Sequence, residues 1–488
     1  MSQDLLWTAQ DAAAATGGTP IGDWTAHGVS IDSRTVQRGD LFIALVGPNF
    51  DGHEFAADAL RKGAAAIVAH RPPAGVGPDA PLLVVDDTTE ALNDLGTLGR
   101  LRFRGRVAAI TGSVGKTSTK EALKVALAAQ APTFATAGNL NNHWGVPLSL
   151  ARMPAEHAYA VLELGMNHAG EIAPLSRLCK PDVAIVTTVE AAHLENFATV
   201  EAIADAKAEI FAGMNPGGTA ILPRNSPHLP RLVAHARTAG IGQIWSFGEH
   251  VDADARLVDC SLHATCSAVS AVIRGEAVQY SLSAPGSHWV LNSLSVLLAV
   301  KALGGDVGAA ARALSTIQPL KGRGSRSRIR LGRPSKAGAF TLIDECYNAS
   351  PTSVAASLSV LAKADPDGDG RRIAVLGDML ELGERAGTLH VGLKQPLVGA
   401  DVDAVFACGP HMAKLFDALP PAMRGAYAAD SAALAPMVAA TVRPGDVVMV
   451  KGSLGSRMAL VVDALQALDS GDGGAGRVPR RRRAANGD

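Results

Sequence analysis

The stretch "VAAITGSVGKTSTKEALK", residues 107–124, limits the fold of this chain more than any other part of it. An apolar run ends at Thr111, glycines stand at 112 and 115, and good helix formers continue from Lys116. A buried strand, a glycine turn and a helix in that order read as a parallel α/β sheet with an anion held at its edge. Gly112 and Gly115 let the backbone bend so that several N–H groups face one anion, and the helix adds the partial positive charge of its N-terminus. Lys116 supplies a full charge for the β- and γ-phosphates of a nucleotide, and the Thr117 hydroxyl suits a magnesium ion. The bland alternative is an ordinary glycine turn.

With 488 residues the chain has room for about three domains. Residues 1–104 mix short strands and turns into a small α/β domain. From residue 105 to 317 the runs "RVAAI", "HAYAVLEL", "PDVAIVTTV" and "GGTAILP" alternate with helical segments, as a parallel sheet covered on both faces requires. Residues 255–283 alternate more like antiparallel strands. Residues 318–468 repeat the α/β pattern with "FTLIDE", "RRIAVLG", "DAVFACG" and "GDVVMVKGS" as strands. The tail, 469–488, holds glycine and arginine with almost nothing apolar, and is expected to be a disordered, solvated segment.

Aromatic residues make up only 4% of the chain, which leaves little surface for stacking bases, and a formal net charge of −1 gives no global field towards nucleic acid or anionic lipid. No apolar run approaches the roughly 18–20 residues needed to span a bilayer, and the first residues lack the order of a signal peptide. The five cysteines are scattered, and Cys260 and Cys266 with His263 leave a zinc site short of ligands. Reduced thiols and a cytoplasmic location are the expectation.

One departure narrows the reading. Two residues, Ser113 and Val114, separate the loop glycines where the usual phosphate loop has four. The compact form "TGSVGKTS" resembles the Mur ligases and their relatives the folylpolyglutamate synthetases, which use ATP to join an amine to a carboxylate. The resemblance implies three domains: a small α/β UDP-substrate domain, a central P-loop parallel-sheet ATPase domain and a C-terminal Rossmann-like α/β domain. It implies ATP contacts from Gly112, Ser113, Val114, Gly115, Lys116, Thr117 and Ser118. Glu163 ends the strand "AVLEL" and His193 follows "VAIVTTV", at strand ends where open α/β sheets place their ligands, and both match metal-ligand positions of the family. Lys207, in "ADAKAEIF", matches the lysine that reacts with carbon dioxide to form a carbamate. The implied metal set is Thr117, Glu163, His193 and Lys207 as its carbamate, around two Mg2+ ions. Lys116, Glu163, His193 and Lys207 are the implied catalytic group.

Further matches are spread along the chain. "TAGNLNNHWGVPLSL" is similar to a family segment that makes Asn141 and Asn142 candidates to reach nucleotide or substrate. Asn292 matches a residue expected near adenine, although Trp289 stands where the family has an asparagine. Arg323, in "PLKGRGSR", matches an arginine that reaches ATP phosphate. Asp344, in "IDECYNASPTSV", fits a nucleotide contact, while Glu345, Cys346 and Ser350 depart from the family pattern.

The segment "DSRTVQRGDLFIALVGPNFDGHEF" looks like the UDP-sugar domain of the two later Mur ligases, with Ser33 and Arg34 facing the uridine diphosphate; their plain alternative is a polar turn. "VLELGMNHAGEI" and "AVLGDMLELG" resemble the branch that adds the terminal dipeptide, and the Asp-Asn-Pro-Arg segment expected of the third-residue branch is missing. The implied partners are UDP-N-acetylmuramoyl-tripeptide and D-alanyl-D-alanine, acted on by a monomer that binds no nucleic acid. The third-residue branch, and a nucleotide-dependent binding protein without ligase turnover, are the alternatives. His168 and Lys451 stand where substrate chains could pass; a helix cap and a surface lysine explain them equally well.

Overall fold

The computed structural model describes residues 5–191, 194–332 and 338–470. His193 and nearly all of the expected tail therefore lie outside the described residues. The described chain forms two compact units. One runs to Gln318 and takes in Glu381–Glu384; the other covers Pro319–Leu380 and resumes at Arg385.

The first unit contains two main sheets. The smaller has five strands in the order Thr19–Ile21, Leu82–Val84, Ala66–Ala69, Asp40–Ile43, Gly28–Ser30. It is tied to the larger sheet through the helix Thr88–Arg102, which packs on the helix Gly145–Ala151. Contact there is backbone to backbone: a Cβ on Gly99 would stand 2.3 Å from the Leu150 carbonyl oxygen, so no larger residue fits. Trp7 Nε1 donates to the Ala151 carbonyl (2.9 Å), and Arg152 Nε donates to that of Val29 (2.6 Å).

The larger sheet has nine strands, in the order Thr133–Ala135, Tyr159–Glu163, Arg106–Thr111, Val183–Val186, Thr219–Pro223, Gln243–Gly248, Ala255–Leu262, Ser267–Ile273, Glu276–Leu282. The first seven run parallel and the last two are added through antiparallel pairings, as the alternation over 255–283 suggests. Arg106–Thr111 lies inside this sheet. Ala108 and Ile110 face one core, with Leu123, Leu127 and Leu294; Val107 and Ala109 face the other, with Leu162, Ile203 and Phe211. Burial on both sides is why the strand reads as an unbroken apolar run.

In the second unit six strands stand in the order Ser325–Leu331, Gly338–Glu345, Val447–Lys451, Arg372–Gly377, Ala404–Cys408, Arg424–Ala428. Only the first pair is antiparallel. The two edge strands, "SRSRIRL" and "RGAYA", are partly exposed and so have no counterpart in the apolar runs of the sequence. Asp378, in the "GDMLELG" segment, closes the start of the helix Pro410–Ala418: its oxygens accept from the N–H groups of Met412 (2.8 Å) and His411 (3.3 Å). An Asp378→Ala variant is expected to lose about 1–2 kcal/mol of stability, read as a lower denaturant midpoint at an unchanged slope. Among the described residues no helix is long and apolar enough to cross a membrane.

Candidate functional site

Strand Arg106–Thr111 is where the larger sheet changes direction. The next strands in the chain lie on one side of it, and Val183–Val186 lies on the other. Open α/β sheets leave a crevice beyond the carboxyl ends of their strands at such a point. The glycine loop fills that position. Gly112 and Gly115 have φ of 147° and 86°, and a Cβ on Gly112 would stand 2.0 Å from Thr187 Oγ1. The same threonine donates to the Val114 carbonyl (2.6 Å). The N–H groups of Ser113 and Val114 donate to the Thr188 carbonyl (2.9 Å) and Thr188 Oγ1 (3.2 Å), so these two expected anion donors are occupied by the chain itself. Further donors stand in the first turn of the helix Lys116–Ala128, where the N–H groups of Thr117 and Ser118 have no intrahelical acceptor. Lys116 Nζ donates to the Gly112 carbonyl (2.7 Å), at the mouth of this turn. Asn292, from the helix Ser287–Ala302, stands against the loop: a Cβ on Gly115 would meet its Nδ2 at 2.8 Å. Gly112→Ala is expected to weaken ADP binding by about tenfold or more, since the φ and the Thr187 contact both oppose a side chain; calorimetric titration of the folded variant measures it.

Glu163 closes strand Tyr159–Glu163, level with Ile110 of the neighbouring strand. Its side chain is buried, with Oε1 accepting from Asn141 Nδ2 (2.8 Å), whereas Oε2 has no hydrogen-bond partner among the described residues. An unsatisfied buried carboxylate oxygen fits a hard cation. Thr117, also buried, heads the phosphate-loop helix. Lys207 lies near the end of the helix Val200–Ala208, wholly buried, and its Nζ has no hydrogen-bond partner among the described residues. Burial, and then the charge of Lys116, push its pKa well below the ordinary 10.5. A neutral amine suits reaction with carbon dioxide, and an ammonium would repel a cation. No cage of three or more His, Cys, Asp or Glu side chains forms among the described residues; the expected set has one carboxylate, one hydroxyl, a lysine in need of modification, and His193, which lies outside them.

Other candidates have definite places. Asn142 Oδ1 accepts from the N–H groups of Trp144 (3.2 Å) and Gly145 (2.8 Å), so this oxygen starts the helix Gly145–Ala151. Ser33 and Arg34 follow strand Gly28–Ser30; Arg34 is forked onto Asp32 (2.9 and 2.7 Å), and Lys62 Nζ donates to the Ser33 carbonyl (2.6 Å). His168 is exposed beside Glu171 (3.0 Å). Ser118 lies in the first turn of the phosphate-loop helix. In the second unit, Arg323 lies over the Tyr347 ring (3.9 Å), and both Asp344 oxygens are taken, by the N–H groups of Gly322 (2.9 Å) and Cys346 (3.2 Å). Lys451 is buried and pairs with Glu345 (3.3 Å), so it is not a surface lysine.

Sequence reasoning passed over Thr187 and Thr188, which seat the loop, and Glu209. The Glu209 carboxylate accepts from the N–H groups of Gly170 (2.6 Å), Ile172 (3.0 Å) and Ala173 (3.1 Å), fastening the "NHAGEI" turn beside Lys207. The close spacing of Glu209 to Lys207 was the available signal.

Three family models match the chain: "Mur ligase family, catalytic domain" over residues 25–98, "Mur ligase middle domain" over 110–300 and "Mur ligase, glutamate ligase domain" over 329–454. The UDP-N-acetylmuramoyl-tripeptide–D-alanyl-D-alanine ligase of Escherichia coli (strain K12) is 34% identical over 91% of this chain and 94% of its own length. The crystal structure of MurF from Acinetobacter baumannii superposes with a TM-score of 0.81 at 31% identity, covering 96% of this chain and 100% of that one. MurF ligase from Thermotoga maritima, solved in complex with ADP, has a TM-score of 0.74 at 29% identity, over 90% of this chain and 97% of its own.

Proposed function

This chain belongs to the Mur ligase family, and we propose that it joins D-alanyl-D-alanine to the terminal carboxylate of UDP-N-acetylmuramoyl-tripeptide, using ATP. The observation that carries this reading is the near full-length likeness to ligases named for that reaction. The phosphate-loop helix, with Glu163 and Lys207 buried around it, is consistent with it. We read residues 1–104 as the UDP-substrate domain, 105–317 as the ATP domain and 318–468 as the third, ligase domain.

In this scheme the first-turn N–H groups of residues 116–118 and the Lys116 ammonium hold the β- and γ-phosphates. The tripeptide carboxylate attacks the γ-phosphorus, ADP leaves, and an acyl phosphate forms. The amine of the dipeptide attacks the acyl carbon; the carbon–oxygen bond to phosphate breaks, the amine gives up a proton, and the amide remains. Phosphoryl transfer of this kind is mostly positioning and charge stabilisation. Asn292, with Arg323 and Asp344, serves the nucleotide; Ser33, Arg34, Asn141 and Asn142 serve the UDP-substrate. Thr117, Glu163, His193 and Lys207 as its carbamate would hold magnesium, which when bound supplies positive charge to the phosphoryl oxygens. Lys207 enters this set by adding its neutral amine to carbon dioxide and releasing a proton.

A panel of UDP-muramoyl peptides and amines, with products weighed by mass spectrometry, tests the assignment. The tripeptide with D-alanyl-D-alanine is expected to give the pentapeptide. Product from the dipeptide with a diamino acid, and none from the tripeptide, would move the chain to the third-residue branch.

A further inference from the structure

Lys120 lies one turn beyond Lys116 on the phosphate-loop helix and is fully buried, and nothing in the reaction above uses it. Burying an ammonium is costly unless its donors and charge are matched. Here they are. Nζ donates to the carbonyls of Thr136 (2.7 Å) and Gly138 (2.8 Å), lies 3.0 Å from Glu121 Oε1 and stands 4.0 Å from Glu163 Oε2.

Thr136 and Gly138 begin the segment that carries Asn141. That segment is fastened again at its far end: Asn141 Nδ2 donates to Glu163 Oε1 (2.8 Å), and the Asn141 carbonyl accepts from Gly165 N–H (2.8 Å). Thr136 Oγ1 also accepts from Glu163 N–H (3.3 Å). The contacts close a circuit from the helix to the segment, from the segment to the strand end, and from the strand end back to the helix. An apolar side chain could fill the space of Lys120, but it would leave two inward carbonyls bare and the Glu163 carboxylate without a nearby cation.

We propose that Lys120 is a positioning residue that holds residues 136–142 and Glu163 in register with the phosphate loop. Only the kinetic part of its test rests on the ligase reading.

The experiment compares the full-length wild type with Lys120→Met. Hydrogen exchange of the amides at 136–142 is expected to quicken by about tenfold or more, while ADP affinity without magnesium stays within about twofold. The KM for the UDP-muramoyl peptide is expected to rise about tenfold, with a smaller change in the KM for ATP. Unchanged exchange at 136–142 overturns the proposal, as does an equal rise in both KM values, which marks general loosening. If the methionine variant does not fold, Lys120→Gln, which keeps a donor for one carbonyl, is expected to show the same pattern at smaller size. Unfolding of both variants also overturns it, since Lys120 would then serve the fold as a whole. A wild type without dipeptide-dependent turnover would sink the ligase reading, and the exchange and ADP measurements would still decide the role of Lys120.

Discussion

Lys116→Ala is expected to leave the fold intact and to lower turnover by about 10²–10³-fold. The fold should tolerate the change because Lys116 is only partly buried and its Nζ donates to a carbonyl within its own loop, that of Gly112. Turnover should not, because charge gathers on the γ-phosphoryl oxygens as the carboxylate attacks, and this ammonium opens the helix that follows the glycine loop. The strand and loop beneath it remain held by Thr187 and Thr188, so circular dichroism and the melting temperature should be near wild type. Single-turnover phosphate release separates the chemical step from binding. A folded variant that kept more than about a tenth of wild-type activity would remove Lys116 from the assigned role.

Lys207→Ala is expected to fall as far, for a different reason, and to recover in part when formate or acetate is added. Truncation leaves a cavity where the lysine side chain stood, and a small carboxylate can place oxygens there. The unmodified lysine also predicts a pH signature. Its native pKa lies well below 10.5, so the unfolded chain binds a proton that the native chain does not. The resulting loss of stability is full below the native pKa, shrinks as pH rises towards 10.5 and is absent above it. In carbonate-free buffer Lys207→Met should therefore be more stable than wild type near neutrality, with the gap closing in alkali. Bicarbonate should raise the melting temperature of the wild type and leave the methionine variant unmoved. A variant rescued by no small acid, in a protein indifferent to bicarbonate, would show that Lys207 acts without modification.

Much of this was readable before any fold was known, and the reason is burial. Arg106–Thr111 and Val183–Val186 are apolar on both faces, so they stand out as unbroken runs, and the glycine loop between strand and helix has few alternative geometries. Edge strands such as Ser325–Leu331 did not stand out, because half of each faces water. Individual roles were harder. Asn142 and Asp344 are candidates on the pattern of their segments, yet nothing in those segments says that their oxygens are engaged by the chain's own N–H groups. Lys120 belongs to no motif, but its spacing from Leu123 and Leu127 puts the three positions on the buried stripe of the helix.

In this ligase the triphosphate is cleaved to activate a carboxyl group. Phosphate release measured with purified protein, with each peptide reactant left out in turn, addresses it most directly. Sustained release is expected only when both UDP-N-acetylmuramoyl-tripeptide and D-alanyl-D-alanine are present. Equal release with either one missing would contradict it.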